Sequence, residues 1–300
     1  MIKQKSISFG IWLGLLLISF SSFSQNTLDT LGLKKQRNLF IGTSTAITGI
    51  SLYALNETWY KDFPRSKFHS FNDSHEWLQM DKVGHAFTCY QIGKAFYNAY
   101  PKAHSGTPAQ KFLLGSAGLL YMTGIEILDG KSSQWGFSWS DMAANFSGYF
   151  LFAAQENFFK KQIVQLKFSY SNSPYAMLRS ETLGRNFQQR LLKDYNAQTY
   201  WMNIPLTLKT SPRASFTKWL CVSIGYSANE ILYADNNINS VNNFHSTREF
   251  FLSFDADLNK IVWKRKWMKK VARVLNVIKI PAPTIRVRSD GSVKVLPLYF

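Results

Sequence analysis

The sequence predicts an α+β fold, in which an N-terminal four-helix bundle of short apolar helices precedes an antiparallel β-sheet region with one basic amphipathic helix. Two observations predict it. Up to about residue 160 apolar residues recur at helical spacing, and after residue 161 they alternate with polar residues. This change of period marks a domain boundary, so we expect a helical domain at 25–160 and a β-rich domain at 161–300, behind an export signal at 1–24.

The first 24 residues have the order of a secretory signal peptide. Lys3 and Lys5 precede an apolar stretch at 7–20 that is too short to span a bilayer, and small residues follow it. We expect cleavage after Ser24, which leaves Gln25 as the mature N-terminus; an uncleaved anchor is the alternative. No cysteine stands at the cleavage point, so we do not expect a lipoprotein. The signal predicts an exported, periplasm-facing protein. The short apolar helices, the basic amphipathic helix and the sheet described below add the expectation that it is membrane-associated, with the outer membrane favoured over the inner one.

Four helices are predicted before the boundary, at 36–55, 76–100, 109–128 and 139–159. The first has an uncharged stretch at 39–55 and the third has one at 112–125. Each stretch is shorter than the ~20 residues that a spanning helix normally needs. These segments are therefore either buried core helices or short, tilted membrane helices.

Six segments after the boundary are predicted to be half-buried antiparallel strands, at 164–170, 204–208, 220–226, 250–256, 285–288 and 293–299. Asp290 and Gly291 form a two-residue hairpin signal between the last two strands. Six strands are fewer than the roughly eight that an outer-membrane barrel needs. This count favours a small sheet packed on the helices over a barrel.

A basic amphipathic helix is predicted among the strands, at 263–278. One side of it is apolar, with Trp263, Trp267, Val271, Val274 and Ile278, and the opposite side is basic, with Arg265, Lys266, Lys269, Lys270 and Arg273. Tryptophans beside basic residues indicate a helix that lies in a membrane interface. A surface helix whose apolar side covers the sheet is an equally weighted alternative.

The formal net charge of +17 and the pI near 9.8 predict a polyanionic partner. An exported protein rarely meets nucleic acid, so we expect no nucleic-acid partner and favour membrane lipid with anionic headgroups or a cell-wall polymer. Cys89 and Cys221 lie in apolar stretches, which favours buried free thiols; a disulfide between them is the alternative. The sequence does not predict an oligomeric state.

Three clusters of ionisable or polar residues interrupt the apolar helices. They are Asp81 with Lys82 and His85, Glu126 with Asp129, and Asp141 with Ser138 and Asn145. Asp81 and His85 are four residues apart and share a helical face, as do Asp141 and Asn145. Because a charge in an apolar helix is costly unless it meets a partner or water, we expect the three clusters to converge on one another.

If the converged site is catalytic, His85 is the general base or a metal ligand, Asp81 orients it, and Glu126 and Asp141 are the acid or further ligands. Lys82, Asp129, Ser138 and Asn145 then complete a ligand-binding or structural polar cluster. No cofactor is evident. A divalent metal fits one imidazole with several carboxylates, although the sequence has no recognised zinc spacing.

Each member also has a structural explanation. Ser138 and Asp141 have the spacing of a helix capping box, and Asp129 stands where a turn residue would. Lys82 is a candidate counter-ion for a neighbouring carboxylate. His85 is also a candidate hydrogen-bonded core residue. Chemical and structural roles therefore both stay open.

Three motifs in order carry a family resemblance, namely Asp81-Lys82-x-x-His85, Glu126-x-x-Asp129-Gly130 and Gly136-x-Ser138-x-x-Asp141-x-x-x-Asn145-x-x-Gly148. Over about 78–148 they resemble the pattern of the YfiM-like family of uncharacterised, predicted periplasmic lipoproteins. They are more distantly similar to VanZ-like membrane proteins, which are associated with glycopeptide resistance. The chain departs from the family in lacking a lipobox cysteine, and its second half resembles an extension found in some members. The resemblance implies an envelope protein and supplies no reaction.

Two functions follow from these observations. The first is a membrane-associated envelope protein whose buried polar site binds a lipid-linked or cell-wall ligand, with or without catalysis. The second is a non-catalytic structural or scaffold protein of the outer membrane, whose polar cluster fixes helix packing. A small-solute channel is a weaker third reading, because the apolar segments are few and short.

Overall fold

A computed structural model describes residues 30–60, 63–100, 106–207 and 218–300. The predicted export signal at 1–24 lies outside these residues. The described chain combines helices with a six-stranded antiparallel sheet, which confirms the α+β class and the sheet. It divides into two compact units, one of residues up to Ser74 with Thr88–Lys160, and one of His75–Phe87 with Lys161–Phe300. Residues 75–87, which the sequence analysis placed with the helical domain, thus group with the sheet.

The helical unit is built from long apolar segments. They are α1 (Thr30–Leu55), which continues into a π-helical turn at Asn56–Tyr60, most of α2 (Met80–Ala99), α3 (Pro108–Gly115), α4 (Ala117–Asp129) and α5 (Trp139–Phe158). Helix α4 contacts α1, α3 and α5. The single helix predicted at 109–128 is interrupted at Ser116, whose Oγ donates to the Leu113 carbonyl 2.8 Å away, a bond that competes with the helical ladder. The arrangement as a four-helix bundle stays a prediction.

Glycines allow α2 to approach α3 and α4 backbone to backbone. A Cβ atom on Gly118 would stand 2.1 Å from the carbonyl oxygen of Cys89, and one on Gly93 would stand 2.5 Å from that of Gly115. Neither position tolerates a side chain unless a helix moves. Gly93 and Gly118 are therefore a packing requirement of this unit.

Apolar side chains also face outward from these helices. Two stretches, Lys34–Leu55 and Pro108–Asp129, are long and apolar enough to cross a membrane, judged by length and composition alone. Only 22% of the first stretch and 28% of the second is buried. Leu113 and Leu120, for example, are 71% and 67% exposed. A mostly buried core helix, one of the two explanations drawn from the sequence, does not describe these segments.

The second unit starts with a turn that the sequence did not predict. The helix expected at 76–100 begins only at Met80, because Trp77, Leu78 and Gln79 have positive φ angles of 49°, 49° and 63°. L-residues rarely adopt this conformation, and tertiary hydrogen bonds hold it here. The Tyr226 hydroxyl donates to the carbonyl of Leu78, and the amide of Trp77 donates to the carbonyl of residue 234 at 2.8 Å.

The six strands pair in chain order, each antiparallel to the next. They are β1 (Gln165–Tyr170), β2 (Gln198–Pro205), β3 (Leu220–Asn229), β4 (Thr247–Ala256), β5 (Ala282–Arg288) and β6 (Val293–Tyr299). Strand β2 begins six residues before the predicted start at 204. The predicted hairpin turn is present, with Gly291 at φ +87° and the amide of Ser292 bonded to Asp290 Oδ1 at 2.8 Å.

Short helices connect the strands, at α6 (Tyr175–Leu178), α7 (Ser180–Leu183), α8 (Phe187–Lys193), α9 (Asn236–Val241) and α10 (Lys266–Leu275). Helix α10 is shorter than the predicted 263–278. Trp263 precedes it, and its ring N–H donates to the carbonyl of Leu258 at 2.8 Å, so this tryptophan is not on the helix face. Trp267, Val271 and Leu275 are exposed. The apolar side of α10 therefore does not cover the sheet.

The two cysteines are buried free thiols, as the sequence favoured. Burial raises the pKa of Cys89 to about 12 and that of Cys221 to about 11. Thiols with such pKa values are protonated at neutral pH and are poor nucleophiles. Both residues are therefore packing residues, and the alternative disulfide is not formed.

Candidate functional site

A strap of irregular backbone, residues 63–74, runs along the turn between α4 and α5. The amide of His69 donates to the carbonyl of Gly130, and the amide of Phe137 donates to the carbonyl of His69, each at 2.9 Å. The strap ends next to the first turn of α5. It therefore carries Asp73, near its end, to that helix start.

Two glycines in the turn permit this close approach. A Cβ atom on Gly130 would lie 2.5 Å from the ring of Phe68, and one on Gly136 would lie 2.6 Å from Cβ of Phe71. Both aromatic residues belong to the strap. The two glycines of the sequence motif thus have a structural explanation, because any side chain there would displace the strap.

Two serines at the start of α5 bond the carboxylate of Asp73. Its Oδ1 accepts hydrogen bonds from Ser138 Oγ at 2.6 Å and from Ser140 Oγ at 2.7 Å. Ser138 is also the N-cap of the helix, since its Oγ accepts the amide of Asp141 at 3.0 Å. The strap is in this way fastened to the helix cap through a carboxylate.

Glu126 reaches the same cap from α4. Its Oε2 accepts the backbone N–H of Ser138 at 3.1 Å, which is the donor that the carboxylate of Asp141 would accept in a reciprocal capping box. The cap is thus only half of the box expected from the sequence. Carboxylate oxygens of Glu126 and Asp141 lie within 4.8 Å of one another, and so do those of Asp73 and Asp141. We call Asp73, Glu126, Asp129 and Asp141 the carboxylate cluster.

Asp129, the last residue of α4, is held by an aromatic hydroxyl. Tyr60, in the turn after α1, donates to Asp129 Oδ1 at 2.7 Å. Burial and the nearby carboxylates of Asp141 and Asp73 raise the pKa of Asp129 to about 7, although the bond from Tyr60 lowers it. The same environment raises the pKa of Tyr60, through burial first and the charge of Asp129 second. Asp129 is therefore more than a turn residue.

Burial is also the main cause of the shift at Glu126, which is only 1% exposed. Burial and the charge of Asp141 raise the pKa of Glu126 to about 8, while the hydrogen bond from the Ser138 amide lowers it. Two carboxyl groups of one cluster therefore hold protons near neutral pH. Such pairs are a common property of functional sites, and buried ion networks share it.

The cluster offers two kinds of chemistry. Carboxylates and serine hydroxyls are the oxygen donors that Mg²⁺ and Ca²⁺ prefer. Carboxyl groups with a pKa near 7 or 8 can also exchange a proton with a ligand at neutral pH. Because several carboxylates stand close together, a cation entering the cluster would replace their protons and relieve their mutual repulsion.

An apolar cleft of about 730 Å³ lies in the same unit, between α1, α2 and the helices α3 and α4. Tyr121 lines the cleft, and it interacts electrostatically with Tyr60, the residue bonded to Asp129. Most of the lining is apolar, including Phe40, Leu52 and Phe96. The helical unit thus holds an apolar cleft near a polar, acidic site.

The structure places four further predicted residues as follows. Asn145 is fully buried on α5, one turn after Asp141. Asp81, Lys82 and His85 lie at the start of α2, within the second unit. Lys82 Nζ is 2.8 Å from Asp81 Oδ2, the ion pair that the counter-ion explanation of Lys82 requires. The participation of Asp81 and His85 in the carboxylate cluster stays a prediction.

Sequence reasoning did not find Asp73, Ser140 or Tyr60. Asp73 lies in a polar stretch without helical periodicity, where an acidic residue looks like any solvated loop residue. Tyr60 ends the turn after α1, and its partner Asp129 is far away in the sequence. Only the strap and the turn after α1 bring Asp73 and Tyr60 to the cluster, so no local signal predicts them. Ser140 is next to Asp141 in α5, and only its bond to Asp73 gives it a role.

Fold and site together define an α+β protein with a buried acidic site in its helical unit. A family model described as "predicted periplasmic lipoprotein (DUF2279)" matches residues 70–155. The matched stretch contains the whole carboxylate cluster, and the match agrees with the resemblance to a predicted periplasmic lipoprotein family. The VanZ-like resemblance stays a prediction. No curated protein and no solved structure matches the chain.

Proposed function

We propose that the protein is an exported, membrane-associated envelope protein whose helical unit binds a lipid-linked anionic ligand through a divalent cation. The carboxylate cluster carries this proposal. Carboxylate oxygens of Asp141 lie within 4.8 Å of those of Glu126 and of Asp73. The pKa values of Asp129 and Glu126 are raised to about 7 and about 8. The family match over 70–155 supports the envelope location, because that family is described as periplasmic.

The cluster supports a ligand whose polar part is anionic and bound through a cation. Bare carboxylates repel a phosphate, so an anionic headgroup requires a cation between the two. Mg²⁺ is commonly bound by one or two carboxylates together with substrate phosphates. Asp141 and Glu126 would hold such a cation, and Asp73 would complete its oxygen ligands. The serine hydroxyls that now bond Asp73 keep its carboxylate oriented.

The cleft supports a ligand whose other part is an apolar chain. A volume of about 730 Å³ lined mainly by apolar side chains is large enough for a prenyl or acyl chain. The carboxylate cluster and the apolar lining of the cleft lie in one unit, as an amphiphile with a charged end requires. Lipid-linked cell-wall precursors and phospholipids both have this chemistry.

Cation binding tests the polar part. Equilibrium dialysis of the purified chain against Mg²⁺, Ca²⁺ and Mn²⁺ should give one bound ion for the unchanged protein. We expect Glu126→Gln and Asp141→Asn each to weaken binding by about tenfold or more, while Glu181→Gln, at an exposed carboxylate, leaves it unchanged. Absence of stoichiometric binding by the unchanged chain would refute the cation part of the proposal.

Two glycines of α1 provide a matched pair for the cleft. Gly49 lines the cleft and Gly42 does not, and a Cβ atom on either residue would meet nothing within 4 Å. Gly49→Leu should reduce binding of a polyprenyl phosphate in the presence of Mg²⁺, measured by native mass spectrometry, and Gly42→Leu should not. Equal binding by both variants would show that the chain of the ligand does not occupy the cleft.

A structural role for the cluster is the second candidate function. The bonds from Ser138 and Ser140 to Asp73 fasten the strap to α5, which favours it. Glu126→Gln separates the two candidates, because glutamine keeps the shape of the protonated side chain. A variant that keeps its melting temperature but loses the cation supports a binding site, whereas a variant that unfolds supports the scaffold.

His85 is tested with the same dialysis. His85→Ala should weaken cation binding if this histidine joins the cluster, as its spacing from Asp81 predicts. Unchanged affinity in a folded His85→Ala variant would remove His85 from the site and leave the oxygen ligands of the helical unit.

A further inference from the structure

The sheet of the second unit buries a face that carries many polar side chains together with Trp201 and Phe251. Along β3, Cys221, Ser223, Gly225 and Ser227 are buried, while the alternate residues Val222, Ile224 and Tyr226 are less buried or exposed. Strand β4 repeats this pattern, with Ser253 and Asp255 buried and Leu252 and Phe254 exposed. A sheet of a water-soluble domain normally has the opposite arrangement, with its apolar face on the core.

The buried face satisfies its own charges. Lys167 Nζ lies 3.0 Å from Asp255 Oδ2, with side chains only 1% and 0% exposed, and it also donates to the Ala256 carbonyl at 2.8 Å. Asn203 donates to the same Asp255 carboxylate and accepts from Ser223 Oγ at 2.8 Å. The polar groups of this face are thus paired within the unit.

A second ion network continues this face toward the other end of the sheet. Glu249 Oε1 lies 2.6 Å from Arg288 Nε and 3.2 Å from a guanidinium nitrogen of Arg286. Lys279 donates to the carbonyls of residues 254 and 280 at 2.7 and 2.6 Å, and its ammonium lies 5.0 Å from the centre of the Trp201 ring. Glu249 and Lys279 are therefore buried charges, whereas Arg286 and Arg288 stay 20% and 25% exposed.

The opposite face has an apolar surface that crosses the sheet, and Phe87 of the same unit packs on it at Phe168 and Tyr200. Register places Leu166, Met202, Ile224, Leu252, Ile285 and Val295 in one row across all six strands. Within it Ile224 is 46% exposed and Leu252 is 50% exposed. A neighbouring row, of Ile204, Val222 and Phe254, extends the surface along the strands. Scattered exposed apolar residues are normal, but a patch that crosses a whole sheet marks an interaction surface.

This surface continues onto α10. Ile278 forms a parallel bridge with Phe168, an outward residue of edge strand β1, so both side chains project from the same face. Ile278 is exposed, as are Trp267, Val271 and Leu275, which form one stripe of the preceding helix. Lys266, Lys269, Lys270 and Arg273 lie on the other side of the helix and are exposed as well.

We infer that the apolar sheet face and the α10 stripe together contact the acyl region of an anionic lipid bilayer. Lipid-facing sheets have apolar residues outside and polar residues inside, which is the polarity found here. The basic side of α10 supplies charge complementarity to anionic headgroups at the edge of the same surface. A protein partner would need acidic groups of its own to match the basic residues of α10. A second copy of this chain would instead bring one basic helix against another.

Spin labels at single cysteines test this contact in the full chain. Ile224→Cys, Leu252→Cys and Ile285→Cys place a nitroxide on the sheet face, and Ser292→Cys, in the exposed β5–β6 turn, is the aqueous reference. Cys89 and Cys221 are buried, and labelled unchanged chain measures their background. Each variant is checked by circular dichroism and reconstituted into vesicles of phosphatidylethanolamine and phosphatidylglycerol.

Collisions with molecular oxygen and with a water-soluble nickel complex then report the surroundings of each label. At the three sheet positions we expect the ratio of oxygen to nickel collisions to be severalfold higher than at Ser292→Cys. Nickel accessibility equal to that of the reference would overturn the inference. Spin–spin broadening that disappears on dilution with unlabelled chain would also overturn it, because a second copy would then cover the face.

Neutral vesicles distinguish the contribution of the apolar surface from that of the basic residues of α10. Replacing Lys266, Lys269 and Lys270 by glutamine should lower flotation with phosphatidylglycerol vesicles and leave the weaker flotation with pure phosphatidylcholine unchanged. An equal loss with both lipids would contradict charge matching by α10. The spin labels and the flotation assay report only on the second unit. Their results are therefore independent of whether the helical unit binds a cation.

Discussion

Replacing Glu126 with glutamine removes a carboxyl group whose pKa is raised from 4.5 to about 8, mainly by burial. The folded protein binds a proton on this group over a pH range in which the unfolded chain has already lost it. Folding stability therefore falls as pH rises from about 4.5 to about 8, and the loss is complete above that range. The neutral glutamine has no such dependence.

The shift gives the size of the effect. Each pH unit in this interval costs about 1.4 kcal/mol, so the full loss caused by Glu126 is at most about 5 kcal/mol. We expect Glu126→Gln to be close to the unchanged protein in stability near pH 5 and more stable by about 2 to 5 kcal/mol above pH 8. The hydrogen bond from the Ser138 amide can be kept, because the glutamine side chain also has an oxygen acceptor.

Chemical denaturation in the presence of a chelator, followed by the helical circular-dichroism signal, measures this difference at a series of pH values. Glu181→Gln is the control and should follow the unchanged protein at every pH, because its carboxylate is exposed. Parallel stability curves for Glu126→Gln and the unchanged chain would refute the reasoning, since they would mean that Glu126 is ionised in the folded state throughout.

Three further predictions follow from the contacts. Tyr60→Phe removes the hydrogen bond that lowers the pKa of Asp129, so that pKa should rise above about 7, as measured by carboxyl ¹³C NMR titration; an unchanged value would show that the bond is not formed in solution. Lys167→Met leaves the Asp255 charge buried without its partner and should cost about 3 to 5 kcal/mol in denaturation experiments. We expect the double variant Lys167→Met, Asp255→Asn to regain stability. A double variant less stable than Lys167→Met alone would contradict the pairing. Gly118→Ala should lower the melting temperature because its Cβ would stand 2.1 Å from the Cys89 carbonyl, whereas Gly42→Ala should leave it unchanged or raise it.

Periodicity predicts the elements that depend on local sequence. The α5 helix at Trp139–Phe158 and the β6 strand at Val293–Tyr299 lie where their apolar spacing places them. The turn at 77–79 could not be predicted, because its left-handed backbone is held by bonds from residues far along the chain. Local sequence favours a helix there, and tertiary hydrogen bonds override that preference.

The candidate site also contains residues that the sequence predicts and residues that it does not. Glu126 and Asp141 could be found because a carboxylate within an apolar helix is costly and so predicts a compensating site. Asp73 could not, because an acidic residue in a polar loop costs nothing locally. It enters the cluster only through the strap, whose path depends on two glycines and on backbone bonds to the turn between α4 and α5.

The sheet shows a different kind of limit. Alternation determines which residues share a face, and the rows across β1 to β6 follow it. It does not determine which face is buried. That choice depends on whether the polar residues can satisfy one another: Lys167 pairs with Asp255, and Glu249 pairs with Arg286 and Arg288, so the charged face can be interior. The inferred bilayer contact would give the apolar face an apolar environment outside the chain, and the envelope location proposed from the family match agrees with it.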